Sequence, residues 1–399
     1  MNRNQRNVSI LFFTLIVVML GFGIIIPIMP FYIRHFNAGG SALGALMATF
    51  GIMQFIFAPV WGSLSDRIGR KPVLLLGVLG NALAMLAMGL STQLWMLFAS
   101  RALAGILSSA TLPTAMAYVT DSSTHDERGG RMGIIGAAMG IGMVIGPGLG
   151  GWLASASLSA PFFLAAGLSF TALALIFILL PESAKSADHT PGKVRGVQLK
   201  ALWQALTGPL GVLFLMAFLL SFGLTNFEGI FGLYAASRYN YNATQVGTVM
   251  TLIGVISAVV QGALTGPLTK RFGEVVVIRM AMLCTAIGFL ILIVPNSDLG
   301  IYLATGYFVL SNAMINPAVA SLVSKQTQSG HGAMMGINNS FLSLGRIVGP
   351  LWAGSMFDIG INLPYLSGAL IMFVGFIISM AWLGKFIAKD QVQEAARTG

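Results

Sequence analysis

Charge is what this sequence has least of. Only 9% of its 399 residues are Asp, Glu, Lys or Arg, against about a quarter in soluble domains, which excludes an ordinary water-soluble enzyme. Cysteine is almost missing, and a single Cys284 allows no disulfide framework within one chain. The four histidines, His35, His125, His189 and His331, lie in separate loops and make no metal cluster. No GxxxxGK(S/T) run is present, so no phosphate-cradling nucleotide site is written in. Nothing resembles a nucleophile elbow, and alternating ten-residue segments of the membrane-barrel kind are absent.

What remains is oil. The chain is 56% hydrophobic, with a mean hydropathy of +0.84. Apolar runs of about twenty residues cross a bilayer as helices, and lipid leaves backbone groups no partner outside a helix or a closed barrel. Twelve such runs can be read, near 8–33, 41–64, 73–91, 94–118, 131–155, 160–181, 209–235, 243–266, 275–294, 299–322, 333–357 and 361–384. The first follows Arg3 and Arg6 as a signal peptide would. It is too long for one, carries Pro27 and Pro30, and is expected to stay.

The net charge of +10 would suit nucleic acid, but its placement argues otherwise. Eighteen Lys and Arg residues fall in the termini and loops of one side, and only Arg34 and Arg238 on the other. That is the positive-inside pattern, so no nucleic-acid partner is expected. Both termini are predicted to be cytoplasmic in a multi-pass cell-membrane protein.

The chain is also written twice. Gly62, Leu64, Arg67 and Gly69 recur 204 residues later as Gly266, Leu268, Arg271 and Gly273; Arg34 and Pro113 recur as Arg238 and Pro317. Gly133, Gly146 and Pro147 recur 203 residues later as Gly336, Gly349 and Pro350. The longest polar interval divides the copies, giving a bundle at 1–181, a cytoplasmic linker at 182–208 and a second bundle at 209–399. The predicted fold is an all-α membrane protein of twelve transmembrane helices in two pseudo-symmetric six-helix bundles. Its substrate site is expected between them near the midplane.

Four motifs carry a family resemblance. GSLSDRIGRKPVL, from Gly62, resembles the signature loop between helices 2 and 3 of the major facilitator superfamily. Arg101 and Gly105 in SRALAGILSSA resemble its helix-4 motif, and Gly140 to Gly151 resembles the helix-5 motif of drug:proton antiporters. SFGLTNFE, Ser221 to Glu228, is similar to helix 7 of bacterial multidrug pumps of the Nor and Bmr type. The resemblance implies a proton-coupled exporter of small amphipathic molecules working by alternating access. It implies no cofactor beyond the coupling protons, a monomer among membrane lipids, and no enzyme activity. The rival readings are a single-substrate exporter of the tetracycline or chloramphenicol type and a carrier of sugars or lipid precursors.

Each motif has a physical reading. In the first, Gly62, Asp66, Arg67, Gly69, Arg70 and Lys71 form a conformational latch. Gly62 is expected to admit close helix approach, and Asp66 to meet the positive end of helix 11. Arg67, Arg70 and Lys71 are expected to pair with carboxylates such as Asp121 or Glu127. The second copy carries Lys270 and Glu274 where the first has Asp66 and Arg70, which predicts an asymmetric latch. In helix 5, Gly142, Gly146, Gly150 and Gly151 around Pro147 leave a smooth surface. The Gly142 and Gly146 face is expected to slide on helix 8.

Acids at membrane depth are expensive and mark function. Of twelve acids only Glu228 lies within a span, continuing a polar stripe from Ser221 and Thr225. It is the expected proton coupler, and the helix-4 motif implies that Arg101 assists. Arg346 lies on a second stripe with Asn339 and Ser343, where it can offset Glu228 or attract an anion. Gln54, Gln261, Asn312 and Asn316 are candidate cavity groups. The pumps it resembles carry an Asp and an Arg in helix 10, where this chain has Ala313 and Asn316. That departure argues against a strongly cationic substrate preference.

Overall fold

A computed structural model describes residues 3–183, 199–326 and 331–384. Most of the expected linker lies outside the described residues, as do Lys185, Lys193, Arg195, Lys385, Lys389 and Arg397. The chain runs through α1 (Arg3–His35), α2 (Gly40–Ile68), α3 (Arg70–Gly89), α4 (Leu94–Asp121), α5 (His125–Ala154) and α6 (Ala160–Leu179). A short helix, Leu199–Thr207, precedes α7 (Gly211–Arg238), α8 (Ala243–Phe272), α9 (Glu274–Ile291), α10 (Asp298–Gln326), α11 (His331–Ile359) and α12 (Leu363–Trp382). Among the described residues, eleven helices are long and apolar enough to cross a membrane, all but α11 of the twelve. α11 has the length, at 29 residues, and occupies the place of the span expected at 333–357. Asn338, Asn339, Ser340, Ser343 and Arg346 make its middle too polar for an apolar run.

The breaks within helices follow from local chemistry. Proline has no N–H and its ring crowds the carbonyl four residues earlier. One turn before Pro113, α4 tightens into a 3-10 segment at Ser108–Ala110. One turn before Pro317, its repeat mate, α10 is interrupted at Met314. The repeat also explains a break in α8. Eighteen positions separate Gly44 from Gly62 in α2, and nineteen separate Gly247 from Gly266 in α8. α2 is one continuous α-helix, whereas α8 absorbs its extra residue in a π-helical turn at Val260–Leu264. Both copies turn from their first helix to their second through an asparagine in the left-handed region, Asn37 with φ 53° and Asn240 with φ 56°.

Backbone contacts divide the chain into two compact units. One holds α1–α6 together with Phe231–Gly254, the end of α7 and the first part of α8. The other holds the rest of α7 and α8 with α9–α12. In the first unit, the glycines of α5 serve two neighbours. A Cβ on Gly142, Gly146 or Gly150 would strike α1, coming to 2.7 Å from the Ile16 and Leu20 carbonyls and 3.0 Å from the Ile24 backbone respectively. Gly148 and Gly151 face α8, at Thr251 and at Ala243 and Gly247. The expectation that Gly142 and Gly146 meet helix 8 is therefore corrected. At 3.6 residues per turn, spacings of four build one stripe, and Gly148 with Gly151 builds another about 100° or more around the helix.

Candidate functional site

The loop between α2 and α3 is built around Gly69. Its φ of +106° suits glycine alone, and an added Cβ would stand 2.8 Å from the Glu182 Oε2 atom. Glu182 Oε1 accepts the backbone N–H of Arg70 at 2.7 Å and of Lys71 at 3.1 Å. It thereby caps the start of α3, where helix N–H groups have no intrahelical partner and an anion is favoured. The sequence reading placed Glu182 at the start of the linker and missed this role.

Arg70 is 8% exposed. Its Nε donates to Asp121 Oδ2 at 2.8 Å, and its Nη1 donates to Ser65 Oγ at 2.7 Å and to Asp66. Lys71 Nζ donates to the Phe177 carbonyl at 2.9 Å, and Arg67 stays on the exposed surface. Glu127 pairs instead with Arg131, one helical turn on, at 3.0 Å. Gly62 meets nothing within 4 Å of an added Cβ. The close helix approach expected there is not made among the described residues.

The second copy repeats this cluster with its charges reversed. Glu274, 7% exposed, stands where the first copy has Arg70. It pairs with Lys325 at 2.7 Å, at the position of Asp121, and accepts from Ser321 at 2.9 Å. Lys270 takes the place of Asp66. Each unit thus carries a pair joining its third helix to its fourth within the repeat, with opposite polarity.

At membrane depth, Arg101 on α4 is 2% exposed. Its guanidinium lies 4.6 Å from the centre of the Phe50 ring on α2, and its Nη2 is 3.7 Å from the Met47 sulfur. Nε and Nη1 have no partner among the described residues. A cation held only by a ring face and a thioether is costly. Gln54 on α2 is half-buried, and Gln261 projects from the π turn of α8.

In the second unit, Glu228 on α7 is half-buried and makes no hydrogen bond or ion pair among the described residues. The stripe beside it is partly consumed by packing. Thr225 Oγ1 donates to the Ser221 carbonyl at 2.8 Å and lies 3.2 Å from that of Gly345 on α11, holding the two helices together. Asn312 on α10 is fully buried, its Nδ2 3.5 Å from the Leu220 carbonyl of α7. It joins helices and does not line an open surface, a correction to its expected place. Asn316 is half-buried, and Arg346 on α11 is exposed with Nη2 donating to Ser343 Oγ at 3.0 Å. Asn226, two residues before Glu228, is fully buried with neither amide atom partnered among the described residues. Sequence reading missed it, although an amide and an acid within one turn of a membrane helix are themselves a signal.

A sequence model described as Major Facilitator Superfamily matches residues 11–212 and again 213–397. Multidrug resistance protein 2 of Bacillus subtilis is 31% identical over 390 residues, covering 96% of this chain and 97% of that protein. Quinolone resistance protein NorA of Staphylococcus aureus is 27% identical over 375 residues, covering 94% and 96%. Among solved structures, a bacterial homolog of the human lysosomal transporter Spinster superposes with a TM-score of 0.77. It does so at 14% identity, covering 97% of each chain.

Proposed function

Because this chain belongs to the Major Facilitator Superfamily, we propose that it is a proton-coupled efflux transporter exporting amphipathic drugs and toxic compounds by alternating access. Two relatives are named for multidrug and quinolone resistance, and the glycine-rich α5 and the α7 sequence lie within the aligned length. The observation that carries the coupling is Glu228. It is the one acid placed within a span by sequence, and it makes no hydrogen bond or ion pair among the described residues. A carboxyl group can bind and release a proton, which is what a coupling site must do.

The cycle follows from that property. A compound enters from the cytoplasm as Glu228 gives up its proton, the transporter reopens outward, the compound leaves, and Glu228 is protonated from outside. A membrane potential supplies about 2.3 kcal/mol per charge per 100 mV, and each pH unit about 1.4. One proton then sustains a gradient of a few tens to a few hundredfold for a neutral compound. Arg101 is assigned a part in proton transfer on its match to the helix-4 motif; among the described residues it has no carboxylate partner. The Arg70 and Glu274 clusters hold each unit's cytoplasmic end during the change of access. We further propose that the protein works in the cell membrane as a monomer with cytoplasmic termini, its partners being small amphipathic molecules and lipid.

The test is pH-gradient-driven uptake into inverted vesicles by Glu228→Gln. The variant keeps size and hydrogen bonding but cannot titrate, so uphill accumulation should vanish while downhill exchange survives. Accumulation equal to the parent's would remove Glu228 as the coupling site. Assaying several unrelated dyes in the same vesicles separates a multidrug exporter from a single-substrate one.

A further inference from the structure

We propose that Arg346 is the docking group for an anionic head, so that carboxylate-bearing amphiphiles are a preferred substrate class. The inference rests on the efflux reading above and adds to it a named contact. It begins from the way α11 divides its surface. At about 100° per residue, Asn339, Ser343 and Arg346 fall within an arc of about 60°, where Asn339 and Arg346 are exposed. The exposed apolar side chains Val348, Trp352 and Ile359 lie on the opposite side. Gly345 and Gly349, between those arcs, pack on the α7 backbone: an added Cβ on Gly345 would stand 2.8 Å from the Phe222 nitrogen. The helix therefore has an apolar face, a packed face and a polar face. A guanidinium near the middle of a 29-residue membrane helix is costly against hydrocarbon, so the polar face borders water.

The guanidinium is fixed yet largely unspent. Ser343 donates its own proton to the Asn339 carbonyl at 2.9 Å, which leaves its oxygen to accept from Arg346 at 3.0 Å. One N–H of five is engaged, and no carboxylate pairs with it among the described residues. A planar fork with free donors matches a carboxylate through two parallel hydrogen bonds. Half-buried Phe218, whose carbonyl faces Gly345 at the packed seam, stacks on Phe222 with ring centres 6.1 Å apart and offers a surface for an apolar body nearby. Arg101 does not compete for this role, because it is closed off beneath Phe50.

The test uses purified full-length protein and three probes: nalidixic acid as an aromatic carboxylate, its ethyl ester, and ethidium as a cation. Binding is followed by tryptophan fluorescence for the parent, Arg346→Gln and Arg346→Lys. The parent should bind the acid more tightly than the ester. Arg346→Gln should weaken the acid about ten- to a hundredfold, the range for losing hydrogen bonds to a charged group, and leave ester and ethidium within about twofold. Arg346→Lys, which keeps the charge and loses the fork, should fall between. Equal binding of acid and ester by the parent, loss of all three probes together in Arg346→Gln, or no binding at all would overturn the proposal. Loss of all three is the result expected of a mere counter-ion to Glu228. Arg346-dependent binding without proton-driven transport in vesicles would instead sink the efflux reading, and with it the substrate class, and leave only the docking contact standing.

Discussion

Reversing the charges of the α2–α3 cluster tests whether each repeat needs a particular polarity or only a complete pair. Arg70 has 9% of its side chain exposed and Asp121 16%, so this pair is largely out of water. Removing one partner of a buried pair costs about 3–5 kcal/mol. The partial exposure of Asp66, at 41%, lets water share the load, and we expect about 2–3 kcal/mol for Asp121→Asn, in line with that discounted range. Arg70→Glu should be worse, because three carboxylates then converge at positions 66, 70 and 121. The triple change Asp66→Lys, Arg70→Glu, Asp121→Lys copies the arrangement of Lys270, Glu274 and Lys325 and should recover most of the loss. Thermal unfolding in detergent is the assay, with about 2–4 °C per kcal/mol for a bundle of this size. A triple variant no more stable than Arg70→Glu would show that the side chains do not act as a unit.

Three further outcomes are expected. Gly247→Leu and Gly151→Leu place side chains where two backbones meet; each should stop transport and lower stability by about 1–3 kcal/mol through overpacking, measured by dye efflux and unfolding. Leucine at Gly133, which has open space around it, should be tolerated. Asp66→Asn should impair efflux more than Lys270→Asn does, at similar expression; equal defects would make both loops merely topogenic. In a background with Cys284→Ala, a cysteine at Lys270 should react with impermeant reagent only from the cytoplasm and one at Asn296 only from outside, and the reverse pattern would invert the topology.

Composition and placement of charge were enough to write the membrane fold, because lipid penalises every alternative. Eleven apolar runs and a twelfth, more polar one, basic loops on one side and landmarks spaced 203 or 204 apart are one-dimensional facts. They do not depend on which helix meets which. Glu228 was legible for the same reason: an acid inside an apolar run stands out wherever its helix lies. Partnerships were another matter. That Gly142, Gly146 and Gly150 belong to α1 while Gly148 and Gly151 belong to α8 depends on how α5 is rotated among its neighbours, and a glycine looks the same on either face. Asn312 read as a cavity group and proved to be buried, whereas Asn226 went unnoticed. The capping of α3 by Glu182 joins residues 112 positions apart, a pairing no local pattern announces. The extra residue in α8 could be counted from the repeat, but a loop, a bulge or a π turn accommodates it equally well in sequence. Only the folded helix, which has no partner in lipid for a broken backbone ladder, settles it as a π turn at Val260–Leu264.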